Sequence, residues 1–200
     1  MHHRKKVFTA ILSLVLLLSW FLNGCAAENT QTQESNKPGP ILDGPLNLGD
    51  KVPELTFTTT DGDTISVSEI LEQKKLVVLN FWFENCSWCM TEFPVMEVAY
   101  QRYREDIEII AVNPVDSSSD ITAFEESRSY SFPMAGCSRD LALILGVGGY
   151  PTSVFIDREG IISLIHTGAI LDTETFYRAF DSFTSDDYEQ RIYHDISEIG

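Results

Sequence analysis

Basic side chains are scarce in this 200-residue chain, which carries 14 Lys and Arg against 30 Asp and Glu for a net charge of −16. A surface this acidic repels phosphate backbones, which excludes nucleic acid as a partner. It also gives no electrostatic hold on anionic lipid, so any attachment to a membrane has to be covalent. Histidine is limited to His2, His3, His166 and His194. With no second Cys-x-x-Cys in the chain, a zinc site of about four ligands from paired motifs finds little support. No Gly-rich phosphate loop, Ser/His/Asp motif or internal repeat is present. Gly146-Val147-Gly148-Gly149 precedes Tyr150-Pro151 and suits a turn rather than a nucleotide. The remaining composition is ordinary for a globular protein, 44% hydrophobic and 22% charged, with length for one domain and appendages.

The N-terminus reads as an address. Met1 to Lys6 is basic, Val7 to Leu22 is apolar, and the run is too short for a comfortable membrane span. Leu22-Asn23-Gly24-Cys25 resembles a lipobox, the site at which bacterial lipoproteins are cut before a lipid-modified cysteine, although Asn23 departs from the usual small or apolar residue. This implies a signal peptide over 1–24, lipidation of Cys25 and a protein held on the extracytoplasmic side of the cell membrane, where disulfide chemistry is permitted. Cleavage would remove three basic residues and no acid, taking the net charge to −19. Residues 25–49 are rich in Glu, Asn, Thr, Gln, Ser, Pro and Gly and read as a flexible tether. The folded domain is expected over 50–184, followed by an acidic tail, 185–200, with a near-helical spacing of Tyr188, Ile192, Tyr193 and Ile196.

Within the domain, Leu55 to Thr60 and Thr64 to Val67 alternate around Asp61-Gly62 as a hairpin would. Ser68 is expected to cap a short helical turn. Leu76 to Phe83 is a nearly continuous apolar run, as in a strand covered on both faces. Cys89 to Arg104 has the pattern of an amphipathic helix interrupted at Pro94, with Phe93, Met96, Val98, Tyr100 and Tyr103 apolar. Then come a strand (Ile107 to Val112), a helix near Ser119 to Ser127 and another near Leu141 to Leu145. A hairpin of Ser153 to Ile156 with Ile161 to His166 and a closing helix from Asp172 to Phe183 complete the order. Strands alternating with helices and ending in a hairpin argue for an α/β fold with a mixed sheet.

Cys86-Ser87-Trp88-Cys89 is the chemical focus. A Cys-x-x-Cys pair serves as a redox dithiol, half of a metal site or a structural disulfide. Its place at the end of a buried strand and the start of a helix favours chemistry, because helix N–H groups and the positive dipole end stabilise a thiolate. Cys86 is the expected nucleophile, and Cys89, one turn on, the resolving thiol.

Asn80-Phe81-Trp82, the Cys86–Cys89 motif, Glu92-Phe93-Pro94, Gly149-Tyr150-Pro151-Thr152 and Val154-Phe155-Ile156-Asp157 with Gly160 together resemble the TlpA/ResA-like branch of the thioredoxin superfamily. The resemblance covers about Leu46 to Phe183. It implies a thioredoxin-like fold, a central mixed sheet flanked by helices, with an N-terminal β-hairpin extension. It implies a cis Pro151 against the cysteines, with Tyr150, Pro151 and Thr152 forming a substrate-binding edge. It also implies a reductase of partner-protein disulfides that needs no cofactor or metal beyond its own cysteine pair. Clients with disulfides or thiols would include apocytochrome c or methionine sulfoxide reductase, and electrons would come from a membrane thiol donor. Three positions depart from the family: Asn85 stands where tryptophan is common before the first cysteine, Trp88 where many relatives carry proline, and Glu84 where a small residue is usual. Glu84 is expected to face solvent. Asn80 occupies the place of thioredoxin's buried acid, so a proton for Cys89 is left to water or another carboxylate; Glu92 is a candidate for that group, but it reads rather as a surface glutamate on the helix.

Cys137 is left over and reads as a small buried loop residue or, more sharply, as a third redox thiol. His166 and His194 read as structural or exposed. Three alternatives stand beside the reductase: a disulfide-forming oxidase of the same fold, a peroxidase and a copper metallochaperone. The peroxidase would need threonine three residues before its cysteine, where Phe83 stands. The metallochaperone typically has wider cysteine spacing and a histidine ligand.

Overall fold

The computed structural model describes residues 44–185, so Cys25, the signal segment, most of the tether and residues 186–200 lie outside the described residues. The packed chain reaches back beyond Asp50. Leu46 is buried and donates its N–H to the Ile144 carbonyl at 2.6 Å, and the Gly49 N–H reaches Ile162 O at 2.8 Å.

The hairpin pairs β1 (Thr56–Thr58) with β2 (Thr64–Ser66) antiparallel. Gly62 in the connection has φ 91°, a conformation that glycine adopts at little cost. Ser66, not Ser68, caps α1 (Val67–Leu71): Ser66 is extended and its hydroxyl accepts the Glu69 N–H, whereas Ser68 already lies inside the helix and bonds Glu54.

The chain continues through β3 (Leu76–Phe81), α2 (Ser87–Tyr103), β4 (Ile107–Asn113), α3 (Ser118–Glu126), β5 (Met134–Gly136), α4 (Arg139–Ile144), β6 (Thr152–Asp157), β7 (Ile162–Thr167) and α5 (Thr173–Thr184). Five strands form a mixed sheet in the order β5-β4-β3-β6-β7, parallel across β5-β4-β3 and antiparallel across β3-β6-β7. Strand β5 has no counterpart in the sequence reading, because three residues of Met-Ala-Gly are too few to show a period. Serine caps α3 and α4 at Ser117 and Ser138, and Asp172 caps α5.

Strand periodicity sorts the core into two layers. Leu76, Val78, Ile107, Ile109 and Phe155 face α2 and α5, while Val77, Leu79, Phe81, Ile110, Val112, Val154 and Ile156 face the hairpin side and α4. By the same alternation Asn80 and Ser153, neighbours in the β3–β6 register, point into the α2 layer. Helix α2 runs through Pro94 without interruption. The missing proline N–H forfeits one intrahelical bond, while a stripe of buried residues on both sides of it (Cys89, Glu92, Phe93, Met96, Ala99, Tyr100, Tyr103) holds the helix to the sheet. Val98 lies off that stripe and is exposed.

Candidate active site

The site is assembled by strand register. Strand β3 ends at Phe81, which pairs with Thr152, the first residue of β6, and on its other side with Val112 of β4. The loop after β3, the Tyr150-Pro151 segment before β6 and the loop after β4 therefore emerge at one end of the sheet. Tyr150-Pro151 is cis, and the Tyr150 ring stands edge-on to Phe83 with centroids 5.4 Å apart. Thr152 is buried, its hydroxyl donating to Gly149 O at 2.9 Å.

Cys86 is the N-cap of α2 and is joined to Cys89 by a disulfide. Its sulfur accepts the Cys89 N–H at 3.2 Å, and its own N–H donates to Phe83 O at 3.1 Å. The two sulfur-bearing residues differ in access: Cys86 is 6% exposed and Cys89 is 0%. Around them Glu84, Asn85 and Ser87 are exposed, Glu84 as expected, and Trp88 presents an apolar face that is 61% exposed. Asp116, in the loop after β4, accepts the Glu84 N–H at 2.7 Å. No sequence motif pointed to Asp116.

Glu92 corrects the sequence expectation. It is not a surface residue but fully buried, with Oε2 accepting from Asn80 Nδ2 at 2.9 Å and Oε1 from the Ile170 N–H at 2.8 Å. Burial pushes its pKa up to about 7, against the opposing pull of those two donors. Asn80 Nδ2 also donates to Ser153 Oγ at 3.0 Å, while Asn80 Oδ1 has no partner among the described residues. The signal was available in the helix spacing. Glu92 falls three residues after Cys89 and four before Met96, on the buried stripe rather than opposite it.

Cys137 is free and half-buried, and burial raises its thiol to about 11. Its Sγ donates to Ser138 O at 3.3 Å. The thiolate is the reactive form. At pH 7 a bulky maleimide is therefore expected to modify Cys137 of the reduced, folded protein at least tenfold more slowly than in denaturant. Equal rates in peptide-mapped mass spectra would restore Cys137 as a redox thiol.

A cysteine pair at a helix start and a cis-proline, brought to the same end of a mixed five-stranded sheet, define a thiol–disulfide oxidoreductase of thioredoxin-like fold. Comparison with known proteins agrees. The model of the AhpC/TSA family matches residues 48–165, and the chain belongs to that family. It is 32% identical over 127 residues to the thiol-disulfide oxidoreductase ResA of Halalkalibacterium halodurans, covering 62% of this chain and 70% of that one. It is 29% identical over 132 residues to the thioredoxin-like protein YneN of Bacillus subtilis, covering 64% and 76%. The fold is similar to that of a thiol:disulfide interchange protein from a Bacteroides species, with TM-score 0.59, 19% identity and coverage of 75% of this chain and 99% of that one.

Proposed function

We propose that this oxidoreductase reduces disulfides of partner proteins outside the cytoplasm, with Cys86 attacking and Cys89 resolving. The observation that carries the assignment is the placement of the two cysteines, Cys86 capping the helix N-terminus with slight exposure and Cys89 fully buried one turn on. The Cys86 thiolate attacks one sulfur of a client disulfide; that bond breaks, and the departing client thiolate takes a proton. Cys89, giving its proton to Glu92, then attacks the Cys86 sulfur. The second client thiol leaves, and two electrons have passed from the pair to the client. Glu92 suits the proton because it lies one turn from Cys89 on the same buried face and titrates near neutrality. The backbone beside Tyr150-Pro151 pairs with the client chain, and Trp88 offers it an apolar contact. Apocytochrome c and methionine sulfoxide reductases are candidate clients, and a membrane thiol protein is the candidate electron donor; both follow from family analogy.

The same reading holds the protein at the membrane through lipid on Cys25, supported by the apolar run and the Leu22-Asn23-Gly24-Cys25 sequence. In a bacterial host the full chain is expected in the membrane fraction, and Cys25→Ala is expected to shift most of it to the soluble fraction. Wild type and variant partitioning alike would remove the anchor from the account. Reduction of insulin disulfides by the dithiothreitol-charged protein tests the activity itself; a rate equal to that of dithiothreitol alone would refute it.

A further inference from the structure

The loop that delivers the outer cysteine is tied to the end of a neighbouring strand by a carboxylate that nothing above assigns. Asn113, the last residue of β4, is buried. Its Oδ1 accepts the N–H groups of Val115 and Asp116, both at 2.9 Å, and its Nδ2 donates to Asp116 Oδ2 at 2.8 Å. That same oxygen receives the Glu84 N–H at 2.7 Å, two residues ahead of Cys86. The Asp116 side chain is thus held in one place by Asn113 and is half-buried, whereas Glu84 carries an exposed carboxylate. A mobile exposed charge is averaged and screened by salt; a pinned, partly buried one keeps its influence.

We propose that Asp116 is a positioning residue of the redox pair, fixing the loop that carries Cys86 and holding a negative charge against that loop two residues ahead of the cysteine, so that the couple is biased toward the disulfide and toward giving electrons up. The bias follows from charge. A fixed anion opposes the Cys86 thiolate of the reduced state and leaves the neutral disulfide untouched. Redox folds whose reduced state is stabilised are oxidants, and destabilising that state moves the couple the other way. The other charged and titratable groups around the pair are placed differently. Glu84 is exposed on the loop itself, Glu92 is buried one helical turn after Cys89 and bonded to Asn80 and Ile170, and Arg139 and Cys137 act on Tyr150.

The inference rests on Cys86 as the attacking sulfur, and one experiment separates the two. Asp116→Asn retains an oxygen that can accept both the Glu84 and Asn113 donors and removes only the charge. The full chain and this variant are equilibrated with a glutathione series at pH 7, and the pH dependence of Cys86 alkylation is followed in the reduced forms. Asp116→Asn is expected to shift the equilibrium toward the dithiol by about three- to tenfold, the size of one charge at partly screened range, and to move the alkylation profile to lower pH. Asp116→Ser, also uncharged, should show the same directions and serves if the asparagine variant folds poorly. Uncharged variants within twofold of wild type in both readings would overturn the role of Asp116 and leave the assignment of Cys86 standing. A wild-type protein that fails to exchange with glutathione, or whose alkylation falls on Cys89, would overturn that assignment instead.

Discussion

Glu92→Gln is expected to make the oxidised protein more stable above neutral pH while making it a slower catalyst. The sign follows from the raised pKa. The unfolded chain releases this proton near the ordinary glutamate value of 4.5, whereas the folded protein holds it until about 7. Between those values the native state binds more protons, so stability falls as pH rises through that window and stays at the lower level above it. At about 1.4 kcal/mol per unit, the loss above pH 7 is at most about 3 kcal/mol. The glutamine carbonyl can still accept the Ile170 N–H. Its amide can donate to Asn80 once that side chain turns its Oδ1 inward. Urea denaturation should therefore show Glu92→Gln close to wild type at pH 4.5 and more stable by about 1–3 kcal/mol at pH 8. Turnover near pH 7 should fall by about 10²-fold or more, with loss of any inflection that Glu92 contributes. A variant destabilised equally at both pH values would mean that Glu92 serves packing alone. Retaining a costly buried acid in the resting enzyme fits the common trade of stability for activity.

The two cysteines are expected to fail in different ways. Either substitution removes disulfide turnover essentially completely, because each sulfur is needed for one of the two exchange steps. Only Cys89→Ala should accumulate a client joined through a mixed disulfide to Cys86, since the attacking thiol survives and the resolving one is gone. Cys86→Ala leaves a sulfur on a residue with no solvent exposure, buried behind the helix start, and should trap nothing. Mass mapping of adducts after incubation with a disulfide-containing protein reads this asymmetry. Adducts on Cys89 in the Cys86→Ala variant would reverse the order of attack.

Most elements were legible because their periods are clean. The run from Leu76 to Phe81 shows no alternation because both faces of β3 are covered, and serine or aspartate marks the start of each helix except α2, which Cys86 caps. That the cysteine loop and the Tyr150-Pro151 segment come to one end of the sheet was legible only through family resemblance, since β3–β6 register leaves no local trace. The burial of Glu92 runs against the usual solvation of a helix glutamate and is signalled only by its spacing from Cys89 and Met96. Pro94 signals a break in the sequence because its cost is local, whereas the packing that outweighs that cost comes from residues on either side. Asp116 was invisible, since its role depends on a parallel strand pair bringing two loops together.

The equilibrium of the Cys86–Cys89 couple against glutathione separates a reductase from an oxidant. A reductase is expected to show a fully reversible two-electron couple at the reducing end of the range for this fold, closer to about −270 mV than to about −120 mV. A couple near about −120 mV would make the protein an oxidant of its partners and contradict the reductase assignment.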